Sequence, residues 1–149
     1  MLDSFITYIR CELNLSAHTV SAYNRDLRQW AEYATGGDIS SLAPMDVATN
    51  DLRLWVAKLA AEGDSPRTIR RKIQALRAFF RYLMRYHGLK NNPAADLTLA
   101  KTDKPLPLYV RQSETREILD SELDTDDFTQ VRDRLIVMMI YTTGLRASE

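Results

Sequence analysis

The sequence predicts an all-α protein: a bundle of four to five helices, then a linker, then an incomplete and mainly helical segment. Apolar residues recur at intervals of three and four through the first two thirds of the chain, where no alternating strand pattern occurs. Glycine and proline are scarce, five of each, and they fall between the periodic stretches. The composition, 45% hydrophobic and 27% charged, excludes a disordered or fibrous chain.

The first three helices are indicated by apolar spacing and by signals at their ends. Ser16 is the expected N-cap of the second helix, because a serine hydroxyl can accept a free backbone N–H of the first turn. Gly36 and Gly37 are expected to end that helix, since glycine readily adopts a left-handed conformation. The predicted spans are 3–12, 16–34 and, after a linker at 40–49, about 50–62.

The fourth helix has the clearest boundaries. Ser65 is its expected N-cap, and Pro66 stands at the first helical position, where the missing N–H costs nothing. Gly88 is expected to mark its end. Its apolar stripe is predicted to consist of Ile69, Ile73, Leu76, Phe80 and Leu83.

The last third of the chain is expected to be a second, incomplete domain. A short helix is predicted over 112–123 and a longer one over 128–141. The longer helix is apolar on all faces from Leu135, and such a helix must be enclosed by other elements. The few residues that follow the linker cannot enclose it. The predicted division is 1–96, a linker at 97–110, and 111–149.

Charge is balanced over the whole chain, with 20 basic and 20 acidic residues, but it is not balanced locally. Eight basic residues and no acidic residue fall between Ser65 and Lys90. Such clustering on one element is typical of a protein that binds a polyanion.

The polar side of the fourth helix is predicted to contact DNA. Arginine suits bidentate contacts with phosphate and guanine, glutamine suits adenine, and a helix fits the major groove. No acid lies four residues before these arginines, so the pattern is not that of a surface helix laced with salt bridges. The alternatives are a solvated basic face and, less favoured, an RNA-binding face. The predicted residues are Arg67, Arg71, Gln74 and Arg81, opposite the apolar stripe, with Arg70 and Arg77 on their flank.

The second helix offers further candidates for DNA contact. Thr19, Asn24 and Arg25 are among its polar positions, and Asn24 and Arg25 suit contacts with bases or phosphates. The alternative is ordinary helix surface.

Metal, cofactor and membrane functions are not expected. The single cysteine, Cys11, excludes a disulfide framework, and His18 and His87 have no partner at ligand spacing. No apolar run reaches the roughly 18 residues that span a bilayer, and the first ten residues do not resemble a signal peptide. We therefore expect a cytoplasmic protein without a small-molecule substrate.

A candidate phosphate site lies near the end of the sequence. Gly144 permits a sharp turn after the last predicted helix, and Arg146 follows two residues later. An arginine held near a helix start is a good clamp for a phosphoryl oxygen. The alternative is a turn with a structural ion pair.

Four stretches, in order, resemble the tyrosine recombinase (phage integrase) family and its Xer-like members. The first two are similar to the family's N-terminal domain. The third is similar to the entry of its catalytic domain, and the fourth to the helix and turn that carry its first catalytic arginine. They are LSAHTVSAYNRDLRQW at 15–30, SPRTIRRKIQALRAFFRYLMRYHGLKNNPA at 65–94, KPLPLYVRQSETREIL at 104–119 and RDRLIVMMIYTTGLRASE at 132–149.

The resemblance implies a core-binding (SAM-like) DNA-binding domain at 1–96 and the start of a catalytic domain at 111–149. It implies that the helices at 16–34 and 65–87 enter adjacent grooves of double-stranded DNA. Arg146 falls on the arginine that binds the scissile phosphate, and Glu149 falls on the acid that supports it. A full-length member would cut and rejoin DNA through a 3′-phosphotyrosine, as a tetramer of recombinase protomers on two sites, without metal or cofactor.

Other parts of the family's machinery do not occur in these 149 residues. Neither His18 nor His87 begins a His-x-x-Arg sequence, and Tyr141 is in the wrong place in the family's order to be the nucleophile. The chain as given is therefore expected to bind DNA without cleaving it. Two other hypotheses are a stand-alone α-helical DNA-binding or regulatory module and a protein-interaction domain whose basic helix meets an acidic partner.

Overall fold

The computed structural model describes residues 1–98, 111–121 and 125–146. It divides into two compact units, Met1–Asp103 and Lys104–Glu149. All regular secondary structure within the described residues is helical, which confirms the all-α prediction.

The first unit contains four α-helices. Between the second and third helices, two short 3-10 turns, Ile39–Ser41 and Pro44–Asp46, replace the featureless linker that the sequence predicts. The helices are α1 (Leu2–Cys11), α2 (Ala17–Thr35), α3 (Thr49–Ala61) and α4 (Pro66–Tyr86).

Side-chain caps begin the two longest helices, as predicted. The hydroxyl of Ser16 accepts the backbone N–H of Thr19 at 3.3 Å, and that of Ser65 accepts the N–H of Thr68 at 3.2 Å. Such a cap stabilises a helix by about 1 kcal/mol. Gly36 closes α2 in the left-handed conformation, with φ +65°.

The core of the first unit is built around α4, which contacts α1, α2 and α3. Phe79 and Phe80 are fully buried, and they meet rings from two other helices edge-on. The ring centroids of Phe5 and Phe79 are 5.5 Å apart, and those of Trp30 and Phe80 are 5.6 Å apart. Aromatic pairs prefer this arrangement. The predicted apolar stripe of α4 is buried at all five positions.

The chain packs back on this core after α4. Ala94 and Leu97 are buried, with 0% and 4% of their surface exposed. Leu97 is the first residue of the predicted linker, and residues 99–110 of that linker lie outside the described residues.

The second unit contains α5 (Gln112–Asp120) and α6 (Phe128–Thr143), which contact each other. α5 ends at Asp120, before its predicted end at 123, because Ser121 already has extended backbone angles, and residues 122–124 lie outside the described residues. Asp127 caps α6 by accepting the N–H of Thr129 at 2.8 Å. The helix runs two residues beyond its predicted end, because the left-handed turn that stops it is at Gly144, with φ +68°. None of the side chains of α6 is buried.

None of the described helices combines the length and the apolar character needed to cross a membrane.

Candidate nucleic-acid interface

The side of α4 that faces away from the core carries a stripe of exposed cations. Arg67, Arg70 and Arg81 are exposed, and no ion pair involves them within the described part of the chain. Gln74 lies between them and is half-buried. From residue 67 to residue 81 the helix rises by about 21 Å. This face therefore presents a linear array of unpaired positive charges.

Arg85 extends the array by one turn and was missing from the predicted site. It is exposed, and its guanidinium lies 5.4 Å from the centroid of the Tyr86 ring. The sequence contained the signal, because Arg85 follows Arg81 by four residues and so falls on the same face. We call Arg67, Arg70, Gln74, Arg81 and Arg85 together the arginine stripe.

Arg71 departs from the predicted row of unpaired arginines. Its Nη1 donates to Oδ2 of Asp26 on α2, in an ion pair whose side chains are 39% and 2% exposed. No acid lies four residues before Arg71, as the sequence shows, but an acid from α2 pairs with it. Spacing along α4 cannot reveal the pair, because the acid comes from another helix.

Arg77 also departs from the predicted row of outward-facing arginines. Its guanidinium donates to the carbonyl oxygens of Ala94, Ala95 and Leu97 at 3.0, 3.0 and 2.7 Å. Nδ2 of Asn92 donates in turn to the carbonyl of Arg77 at 3.1 Å. Because the chain folds back after α4, Arg77 serves as an anchor for residues 92–97 and does not face outward with the stripe.

Lys72 is a third cation of α4 that the fold uses internally. It is 5% exposed, and its Nζ lies 2.6 Å from Oδ2 of Asp64 and 6.0 Å from the centroid of the Trp55 ring. Two of the eight basic residues between 65 and 90 are thus neutralised by acids from outside that stretch.

The carboxyl of Asp26 lies in a low-dielectric environment. Burial raises its pKa above the ordinary value, while the charge and hydrogen bond of Arg71 and the nearby charges of Lys72 and Arg25 act in the opposite direction. The sequence carried a signal for the burial of Asp26, because this residue lies three positions after Tyr23 and directly before Leu27, both on the apolar side of α2.

The predicted residues of α2 differ in how they are engaged. The Thr19 hydroxyl lies 2.9 Å from the Ser16 hydroxyl, within the helix cap. Asn24 Oδ1 accepts the Nε of Arg28 at 3.1 Å. Arg25 is exposed, without an ion pair among the described residues. Since α2 contacts α4, the structure brings the two predicted helices together.

The predicted phosphate clamp belongs to the second unit. The N–H of Gly144 donates to the carbonyl of Ile140 at 2.9 Å, and Arg146 is exposed just beyond this turn. Glu149, its predicted support, lies outside the described residues. The role of Arg146 stays a prediction. In the described ranges no cluster of three or more His, Cys, Asp or Glu residues could hold a metal ion.

Comparison with known proteins gives a family for this arrangement. The family described as "Phage integrase, N-terminal SAM-like domain" matches residues 2–87. The chain is 35% identical to tyrosine recombinase XerC of Oceanobacillus iheyensis, over 99% of this chain and 48% of that protein. It is 34% identical to the XerC of Azotobacter vinelandii, with the same coverage, and 36% identical to that of Alcanivorax borkumensis, over 99% of the chain and 47% of the relative. The chain thus spans about half the length of these relatives.

Proposed function

Because the chain belongs to the phage integrase family, whose N-terminal SAM-like domain matches residues 2–87, we propose that its first unit binds double-stranded DNA through the arginine stripe of α4. The observation that carries this proposal is the set of exposed arginines on one face of a helix, unpaired within the described residues. The opposite face of the same helix is fixed in the core. A helix presented in this way fits the major groove, and its guanidiniums can bind phosphates or guanine edges.

We extend the DNA surface to α2, which contacts α4. Arg25 supplies a further unpaired cation, and Asn24 and Thr19 supply polar groups. In this proposal residues 1–96 form the DNA-binding domain, 97–110 the linker and 111–149 the beginning of a catalytic domain.

We propose that the protein is part of a site-specific recombinase. The relatives reported above carry the name tyrosine recombinase and give no support to a stand-alone module. In this proposal Arg146 binds the scissile phosphate, and the complete enzyme cuts and rejoins DNA through a 3′-phosphotyrosine. Its protomers would assemble as a tetramer on two sites in the cytoplasm, without a cofactor. The 149 residues contain no His-x-x-Arg sequence, so this chain would bind DNA without cleaving it.

Salt dependence of binding tests the proposal. Fluorescence anisotropy of a labelled duplex of about 30 base pairs should give a log Kd that varies linearly with log salt, because each neutralised phosphate contributes roughly 0.9 to the slope. The double variant Arg70→Ala/Arg81→Ala should reduce the magnitude of that slope by about two.

Arg53→Ala is the matched control. Arg53 is an exposed arginine of α3 that has no ion pair within the described residues. Removing it should leave the slope unchanged. Binding that does not depend on salt would contradict the proposal. So would a reduction of the slope in Arg53→Ala as large as the reduction per arginine in the double variant.

A further inference from the structure

The ion pair between Asp26 and Arg71 joins the two helices of the proposed DNA surface. Asp26 belongs to α2 and Arg71 to α4, and 45 positions separate them in the sequence. The carboxylate side is 2% exposed, whereas 39% of the arginine side chain is open to solvent. The pair therefore has one end in the core and the other at the surface.

Stability alone is a weak explanation for such a pair. Removing a carboxylate from water costs free energy, and replacement of buried ion pairs by apolar residues is often neutral or stabilising. An apolar residue in place of Asp26 could not hold a guanidinium in one orientation, because that requires a hydrogen-bond acceptor.

Arg71 keeps donors in excess of those that Asp26 uses. A guanidinium has five N–H donors in a rigid plane, and the described residues provide Asp26 as the acceptor for Nη1. Arg71 is adjacent to Arg70 and three residues before Gln74, so it borders the arginine stripe. Asp26 thus holds the guanidinium through Nη1, and the guanidinium carries further N–H donors for another acceptor.

Sequence-independent and sequence-specific binding place different demands on an arginine. Sequence-independent affinity comes from unpaired cations that neutralise phosphates. Sequence discrimination comes from directed hydrogen bonds to base edges. An arginine neutralised by a buried carboxylate contributes little to sequence-independent affinity. Its fixed orientation suits it to a directed hydrogen bond with a base edge.

We propose that Asp26 is a specificity-determining residue, which orients Arg71 toward a base edge and withholds its charge from sequence-independent binding. This inference rests on the proposed DNA binding of the first unit. Asp26 acts through Arg71 and is a positioning residue, with no contact of its own to DNA.

The test uses the 149-residue chain and two duplexes. One duplex is selected from a randomised pool by the unmodified protein, and the other is a scrambled duplex of the same base composition. In Asp26→Asn, which preserves the shape of the side chain, the ratio of the two affinities should fall about tenfold, the scale of one lost directed base contact. On the scrambled duplex, the magnitude of the salt slope should rise by about 0.9, because Arg71 becomes free to neutralise a phosphate.

Glu32→Gln is the matched control, because it removes the same charge from an exposed position of α2. It should change the affinity ratio by less than about twofold, as expected for a surface substitution away from the contacts. In an Arg71→Ala background, Asp26→Asn should have no further effect on the ratio. A purely structural Asp26 would move neither the ratio nor the slope in a folded variant.

Arg71→Lys carries the test if Asp26→Asn does not fold, as judged by circular dichroism. Lysine keeps the charge and one hydrogen bond to Asp26 but lacks the planar fork, so the ratio should again fall about tenfold. An unchanged ratio in folded Asp26→Asn or in Arg71→Lys would overturn the inference while leaving DNA binding intact. The inference would also be overturned if selection from the randomised pool yielded no preferred duplex. Salt-independent binding by the unmodified protein would instead contradict the proposed DNA binding of the first unit.

Discussion

Replacement of Arg77 by alanine separates a structural arginine from a DNA-binding one on the same helix. Arg77 donates three hydrogen bonds to the backbone of residues 94–97, and two of these bonds are partly buried. A hydrogen bond to a charged group contributes about 1.5–3 kcal/mol when buried, and less when exposed. Because Ala94 and Leu97 belong to the core, we expect Arg77→Ala to lower the free energy of unfolding by about 2–4 kcal/mol.

Tryptophan fluorescence measures this loss in the first unit alone. The chain has two tryptophans, Trp30 and Trp55, and both are 1% exposed in the core of that unit. Urea unfolding followed by their emission should show an earlier transition for Arg77→Ala. The matched variant Arg81→Ala removes an exposed arginine one turn later and should shift the free energy of unfolding by no more than about 0.5 kcal/mol.

The opposite pattern would refute this reasoning. If Arg77→Ala unfolds at the same urea concentration as Arg81→Ala and also weakens DNA binding with a shallower salt slope, Arg77 contacts DNA as the sequence first indicated. Its bonds to the carbonyls would then contribute nothing measurable to stability.

Three further predictions concern stability and use the same fluorescence measurement. Ser65→Ala should lower the free energy of unfolding by about 1 kcal/mol, because it removes the cap of α4. Ser21→Ala, at an exposed position inside α2, should lower it by less than about 0.5 kcal/mol. Lys72→Met, which fills the same buried space, should cost less than Lys72→Ala, which leaves a cavity, and both leave Asp64 without its cation. Burial raises the pKa of Asp26, so the folded protein holds the Asp26 proton more tightly than the unfolded chain does. The free energy of unfolding of the unmodified protein, measured relative to that of Asp26→Asn, should therefore fall as pH rises from below 3.8 through the raised pKa. A relative free energy of unfolding that grows with pH would contradict this.

Local chemistry made the helices of the first unit predictable. Ser16 and Ser65 mark helix starts because their hydroxyls satisfy N–H groups only three residues away. The apolar stripe of α4 is buried as its spacing indicated, since one face of a helix repeats every three to four residues. The 3-10 turns at 39–46 were not predicted, because single turns of three residues have no periodicity to recognise.

Contacts between distant segments could not be predicted in the same way. The spacing on α4 correctly separated its core face from its polar face. It did not distinguish Arg67, which is exposed and unpaired in the described chain, from Arg71, which is paired with Asp26. That distinction depends on which residue of another helix lies opposite, and it requires the packing of α2 on α4. Arg77 gives the same lesson, because its acceptors follow it by 17 to 20 residues, beyond the end of the helix.

These pairings set the strength of electrostatic binding that the first unit can have. If all eight cations between 65 and 90, together with Arg25 of α2, neutralised phosphates, the slope of log binding constant against log salt would be about −8. The structure leaves five of the eight exposed and without an ion pair among the described residues, namely Lys90 and the four arginines of the stripe, and Arg25 is a sixth such cation. Six contacts give a slope of about −5. A measured slope near −8 would mean that the internal bonds of Arg71, Lys72 and Arg77 open on binding, and it would contradict the internal pairing of these three cations.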